Sequence, residues 1–136
     1  MIRRVFADTS FLVSYYNEHD NNHNNARTIT KSLEGENILW VISDYIFDEF
    51  LTVLLVRRNK QFAIEIGQAI LDDPNIGVIK IEKDIFNKAW KLFRRNKNQA
   101  WSFTDSTSYI IIKKLKITEA VSFDKHFREF GVKLLA

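Results

Sequence analysis

Four carboxylates, Asp8, Glu49, Asp105 and Asp124, stand where one fold could gather them, and gathered oxygen donors are what a hard divalent cation requires. Asp8 follows the short apolar run Arg3–Ala7, and Asp124 follows a second such run at 119–123. Both acids are therefore expected at the carboxyl ends of strands. Asp105 comes three residues after Ser102, ahead of the apolar run Ile110, Ile111 and Ile112. Taken alone, it completes a capping box at the head of a helix. Glu49 is three residues after Ile46 and four before Val53, at the border of an apolar helix face. An acid there either reaches out to solvent or meets a cation, because a buried unpaired carboxylate is costly. Four acids sharing a low-dielectric pocket repel one another unless a cation neutralises them. With no cysteine and no dedicated histidine in the set, the donors suit Mg2+ or Mn2+.

The elements that must position these acids follow from hydrophobic period and breakers. The sequence predicts a strand over Arg3–Ala7, a helix over Thr9–Tyr16, a polar loop over 17–25 and a helix over 24–33 stopped by Gly35. A second strand over 38–42 leads into a helix capped by Ser43 or Asp44 and running to about Arg58, with Ile46, Phe47, Phe50, Val53 and Leu54 on its apolar face. A helix over 62–71, a strand over 76–81 and a helix over 82–95 follow, the last carrying Ile85, Phe86, Ala89, Trp90 and Phe93 as core positions. The helix from Phe103 ends near Lys113 and Lys114, charges that suit a helix C-terminus. The strand at 119–123, one helical turn over 125–130 stopped by Gly131 and a last strand over 132–135 complete the chain. Strands alternating with helices predict an α/β/α sandwich around a mostly parallel sheet of four to five strands. Ligands bind such sheets beyond the carboxyl ends of the strands, which is where Asp8, Asp105 and Asp124 fall.

Composition removes other classes of chemistry. At 136 residues, 46% hydrophobic and 27% charged, the chain reads as one globular domain over 1–136. The absence of cysteine excludes disulfides, thiolate zinc sites and a cysteine nucleophile. No stretch approaches the ~20 apolar residues of a membrane span, and residues 1–16 lack a signal-peptide pattern, so the expected location is cytoplasmic, with no membrane partner. A net charge of +3 mildly favours a polyanionic partner. His19 and His23 are four apart but lack a third ligand in their stretch and read as part of a polar loop. The connector 94–99, with Arg94, Arg95 and Lys97, and the turn with Arg57, Arg58 and Lys60 are basic clusters that read by themselves as solvated surface. Trp101 reads by itself as a packing residue.

Four segments carry a resemblance. Phe6-Ala-Asp8-Thr-Ser-Phe, Ser43-Asp-Tyr-Ile-Phe-Asp-Glu49, Ser102-Phe-Thr-Asp105 and Ser122-Phe-Asp124-Lys-His-Phe127, in this order, resemble the PIN-domain ribonucleases and, within them, the VapC-type toxins of prokaryotic toxin-antitoxin pairs. The run Asp20 to Ala26 is similar to the family's approach to its second helix. The resemblance implies that Asp8, Glu49, Asp105 and Asp124 are both the catalytic and the metal-binding set, holding one or two ions. It further implies that Ser122 supports them as a neighbouring hydroxyl, with Ser10 or Thr104 in a similar role. The activity implied is hydrolysis of an RNA phosphodiester by a metal-activated water, and the partners implied are an RNA substrate, a cognate antitoxin and a second copy in a homodimer. With RNA as substrate, Arg94, Arg95 and Lys97 are the first candidates for contact and Arg57, Arg58 and Lys60 the second, and Trp101 could stack on a base or, more simply, pack in the core. The alternative is a PIN-like module that binds RNA or protein without catalysis. A phosphatase with a nucleophilic aspartate fits poorly, since Ser10 stands where its second Asp is required. A receiver domain would need an acid pair after the first strand and an aspartate after the third, where Lys80 and Ile81 stand.

Overall fold

The computed structural model describes residues 2–97 and 100–135. Asn98 and Gln99, at the end of the predicted basic connector, lie outside the described residues. The elements run β1 (Arg3–Ala7), α1 (Thr9–Tyr16), α2 (His23–Ser32), β2 (Ile38–Ser43), α3 (Asp44–Arg57), α4 (Lys60–Asp72), β3 (Ile76–Ile79), α5 (Lys83–Arg95), α6 (Phe103–Leu115), β4 (Glu119–Val121), a 3₁₀ turn (Lys125–Glu129) and β5 (Lys133–Leu134). All described strand pairs are parallel, and the sheet order is β3-β2-β1-β4-β5.

This order dictates the layers. Crossovers between parallel strands are right-handed, so β1→β2→β3 stepping one way puts its helices on one face, and the step back to β4 puts its helices on the other. The packing agrees: α1 lies against α2 and α3, α3 lies against α4, and α5 pairs with α6. The result is the three-layer α/β/α arrangement around a five-stranded sheet. The central strand β1 is covered on both faces, which is why Val5, Phe6 and Ala7 are all buried and the strand reads as a continuous apolar run.

Between β1 and β4 the order of the sheet reverses, and the gap at their carboxyl ends is the topological switch point where such folds bind ligands. Phe6 of β1 stacks on Phe127, and Phe127 packs against Phe130 with ring centroids 4.4 Å apart. Both Phe127 and Phe130 are fully buried, so the 3₁₀ turn is pinned to the sheet edge. Trp101 packs on Phe130 at 4.6 Å and on Tyr109 at 5.5 Å and is a core residue.

Two expectations are corrected by packing. On α5 the buried stripe is Ile85, Ala89 and Leu92, whereas Phe86, Trp90 and Phe93, about 100° round the helix, are 43%, 49% and 41% exposed. They contact one another and Phe103 at the rim of the core instead of entering it. Strand β4 ends at Val121, so Ser122 and Phe123, predicted as strand, form the turn that carries Asp124.

Candidate active site

Three of the four acids are held by the starts of helices. Asp8 is the N-cap of α1, Asp105 sits at the third position of α6, and Asp124 caps the 3₁₀ turn. Each start presents unpaired backbone N–H groups and the positive end of a helix dipole, which favour a carboxylate. Asp105 both caps and faces the cleft: its Oδ2 accepts the Ser102 N–H at 2.9 Å, while the Ser102 hydroxyl accepts the Asp105 N–H at 3.0 Å. The capping box expected from sequence is formed, and the acid still lines the cavity.

Asp8 is the most enclosed of the four, at 4% exposure. Its Oδ2 accepts the hydroxyls of Ser10 and Ser122, each at 2.9 Å. The same two hydroxyls orient the 122–124 turn, because the Ser10 Oγ accepts the Phe123 N–H at 2.9 Å and the Ser122 Oγ accepts the Asp124 N–H at 2.9 Å. Asp8 and Asp124, over a hundred residues apart in sequence, are thereby fastened to one another through two serines. Burial pushes the Asp8 carboxyl up to about 6; the serine hydroxyls pull it down, and the Asp105 charge adds to the rise.

The acids open onto a cleft of about 680 Å³ whose lining includes Asp8, Ser10, Glu49, Asp105 and Asp124. Glu49 projects from α3, partly exposed, and lines the cleft; like Asp8, it is not in the close group of Asp105, Asp124 and His126, whose donor atoms lie within 4.8 Å of one another. Asp48, next to it, is exposed. Of the hydroxyls expected to support the acids, Ser10 and Ser122 contact Asp8, whereas Thr104 does not line the cleft and offers its carbonyl to the Thr107 hydroxyl at 2.7 Å. Arg94 and Arg95 are exposed at the end of α5, Arg94 lying over Trp90, and Lys97 is exposed beyond them; none of the three lines the cleft. The cation that does is Arg57, from the second candidate group.

Two further residues of the cleft escaped the sequence reading. Asp20, placed in a polar loop, lines the cavity but is already engaged by the Ser14 hydroxyl at 2.8 Å, by the Asn22 N–H at 2.9 Å and by Arg57 at 3.3 Å. His126 lies with Nδ1 3.1 Å from Asp124 Oδ1 and 3.4 Å from Asp105 Oδ2. The signal for it was present: an Asp followed two residues later by His, where an aspartate cap turns the chain back on itself. His19 and His23, read from the sequence as part of a polar loop, do not line the cleft: His19 is exposed, and His23 Nδ1 pairs with the Ser14 carbonyl at 2.8 Å.

The donor chemistry fits a hard divalent ion. Carboxylate oxygens from Asp8, Asp105, Asp124 and Glu49 face one open cleft, the arrangement of oxygen donors that such an ion takes.

Comparison with known proteins places this geometry. The VapC20 23S rRNA-specific endonuclease of Mycobacterium tuberculosis is 29% identical over 127 residues, covering 93% of this chain and 94% of that protein. The crystal structure of that VapC20, described as a Sarcin-Ricin loop cleaving toxin, superposes with a TM-score of 0.85 at 26% identity over 94% of this chain and 95% of the other. VapBC2 from Rickettsia felis, bound to a promoter DNA fragment, shares the fold at a TM-score of 0.67 and 17% identity, over 98% and 97% of the two chains. The PIN domain family profile matches residues 5–133, and the chain belongs to the PIN domain family.

Proposed function

We propose that this PIN domain is a metal-dependent endoribonuclease, the toxin of a toxin-antitoxin pair, and that its substrate is an exposed loop of ribosomal RNA. The observation that carries the reading is the convergence of Asp8, Asp105 and Asp124 on one cleft, with Glu49 on the same lining. The kinship with a 23S rRNA-specific endonuclease supports the substrate class. The open cleft accommodates a looped strand, which offers its backbone in a way a regular A-form duplex does not.

In this reading Asp8, Glu49, Asp105 and Asp124 hold one or two divalent ions, Mg2+ or Mn2+. When bound, the metal supplies Lewis-acid stabilisation of phosphate charge and an activated water. The residues of the chain do the rest. Asp8 and Asp124 are oriented by Ser10 and Ser122, so the donor positions are set before substrate arrives. Asp105 is fixed by its own capping box. Arg57, on the lining, is placed to meet a phosphate flanking the scissile bond once its contact with Asp20 is exchanged. The protein works in the cytoplasm, where an antitoxin covers the cleft, and the exposed Phe86, Trp90 and Phe93 supply apolar area for a homodimer contact.

The test is cleavage of ribosomes and of a synthetic ribosomal-loop RNA by wild type, Asp8→Asn and Asp105→Asn, with and without EDTA. Cleavage by wild type alone, abolished by EDTA and restored by Mg2+ or Mn2+, is expected. RNA binding without products from wild type at any metal concentration, or equal cleavage by all three proteins, overturns the reading.

A further inference from the structure

On the cleft lining two shielded polar atoms make no hydrogen bond among the described residues, Thr9 Oγ1 and His126 Nδ1, and only the His126 nitrogen has carboxylate oxygens beside it in an ion-pair contact. Nδ1 is shielded from solvent and makes no hydrogen bond of acceptable geometry among the described residues, although two carboxylate oxygens stand at 3.1 Å and 3.4 Å. Those oxygens each already accept a backbone N–H: Asp124 Oδ1 from His126 itself and Asp105 Oδ2 from Ser102, both at 2.9 Å. A shielded nitrogen without a hydrogen bond is rare enough to require a partner such as an ion. The Asp105, Asp124 and His126 donor atoms all lie within 4.8 Å of one another. Donors about 2.1 Å from a shared ion are separated by about 3.0 Å at octahedral angles and about 3.4 Å at tetrahedral ones. The two measured separations from Nδ1 fall in that interval.

We propose that His126 is a ligand of the same metal centre through Nδ1, and that it biases the centre toward Mn2+ over Mg2+. The inference rests on the reading of this cleft as a divalent-metal site and goes beyond it by naming the donor that chooses the ion. Imidazole nitrogen suits transition metals, whereas Mg2+ takes oxygen donors and keeps several of its waters. A neutral donor also completes the coordination without adding a further negative charge to a cleft already holding Asp8, Glu49, Asp105 and Asp124. The ring is held in place: Phe127, next in sequence, is fully buried, and the 3₁₀ turn beneath His126 is capped by Asp124.

The experiment loads the purified full chain with Mn2+ and records pulsed EPR, with histidine carrying either 14N or 15N. Direct coordination gives a nitrogen coupling that changes with the isotope and disappears in His126→Asn. In parallel, Mn2+ and Mg2+ affinities are measured by calorimetry on wild type and on His126→Asn and His126→Gln. A loss of about 10- to 100-fold in Mn2+ affinity, with less than about threefold for Mg2+, is expected. If Mn2+ binds in an Asp105-dependent manner and RNA is cleaved, but wild type shows no nitrogen coupling, the assignment of His126 is overturned while the nuclease reading stands. If wild type binds no divalent ion, both fall. Should the His126 variants fold poorly, the isotope-dependent coupling in wild type decides alone.

Discussion

Asp8 carries the sharpest residue-level consequence. Its carboxyl is pushed up to about 6 from an ordinary 3.8, so the folded protein holds a proton that the unfolded chain releases between these values. The stability tied to that proton is present below pH 4 and is lost as pH rises through 6, by roughly 3 kcal/mol for a displacement of this size. Metal-free protein should therefore show a falling urea midpoint from pH 4 to 6.5, and Asp8→Asn should flatten the slope. Metal binding must displace the same proton, so Mn2+ affinity should rise over this range, as calorimetry in buffers of different ionisation enthalpy would detect. Ser122 donates to Asp8 and also receives the Asp124 N–H. Ser122→Ala should lower metal affinity by about 10- to 100-fold, with circular dichroism unchanged, and an unaltered affinity would remove Ser122 from the site. At this scale the positions of Asp8, Asp105 and Asp124 at element ends were legible because residue type and distance from an element end can be read directly, whereas Ser122 came from the family resemblance. His126 and Asp20 were not, because their relation to the acids depends on a turn and on a loop returning over the cleft.

At the scale of elements, the 3₁₀ turn and the head of α6 decide whether the site holds its shape. Phe127 joins the turn to β1 by stacking on Phe6, and Trp101 joins the approach to α6 to the same cluster through Phe130. Phe127→Ala should cost about 3–5 kcal/mol in chemical denaturation, the loss of a fully buried aromatic side chain. Ser102→Ala should cost only about 1 kcal/mol, the value of a helix cap, yet reduce RNA cleavage disproportionately, because the first turn that carries Asp105 loses the hydroxyl that accepts the Asp105 N–H, leaving only the Ser102 N–H on the carboxylate to hold it. Equal fractional effects on stability and cleavage would mean that the cap is structural only. Element identities and order were readable from apolar period, capping residues and breakers, as Ser102 heading α6 and Ser43 heading α3 illustrate. The orientation of α5 was not, since Phe86, Trp90 and Phe93 keep helical spacing whether they face the core or the outside. Which aromatic stripe of an amphipathic helix is buried depends on its neighbour, α6, and on Phe103 at that helix's head.

For the whole molecule, the sheet order matters more than any single contact. β1 pairs with β4, so the two halves of the acid set meet only across the middle of the sheet. On the proposed reading divalent metal would bind the assembled cleft and not the unfolded chain, so saturating Mn2+ at a hundred times its dissociation constant should add about 2.7 kcal/mol of stability. Asp105→Asn should abolish most of the resulting rise in melting temperature, and a full rise in that variant would place the ion elsewhere. The parallel α/β class could be anticipated from alternation alone. The position of β4 beside β1 could not, because nothing in local sequence states which strand a returning crossover will join.

That pairing also times the appearance of the chemistry during synthesis. Asp8 leaves the ribosome well before the serine that orients it, 114 positions later, and before the Asp124 that follows that serine. Until then β1 has no β4 beside it, the 122–124 turn does not exist, and Asp8 has only Ser10 to hold it. On the proposed reading, the cleft is therefore assembled only when β4 and the 122–124 turn join β1. Fragments that stop short of Ser122 would lack Asp124 and its tie to Asp8, and are expected to cleave no RNA.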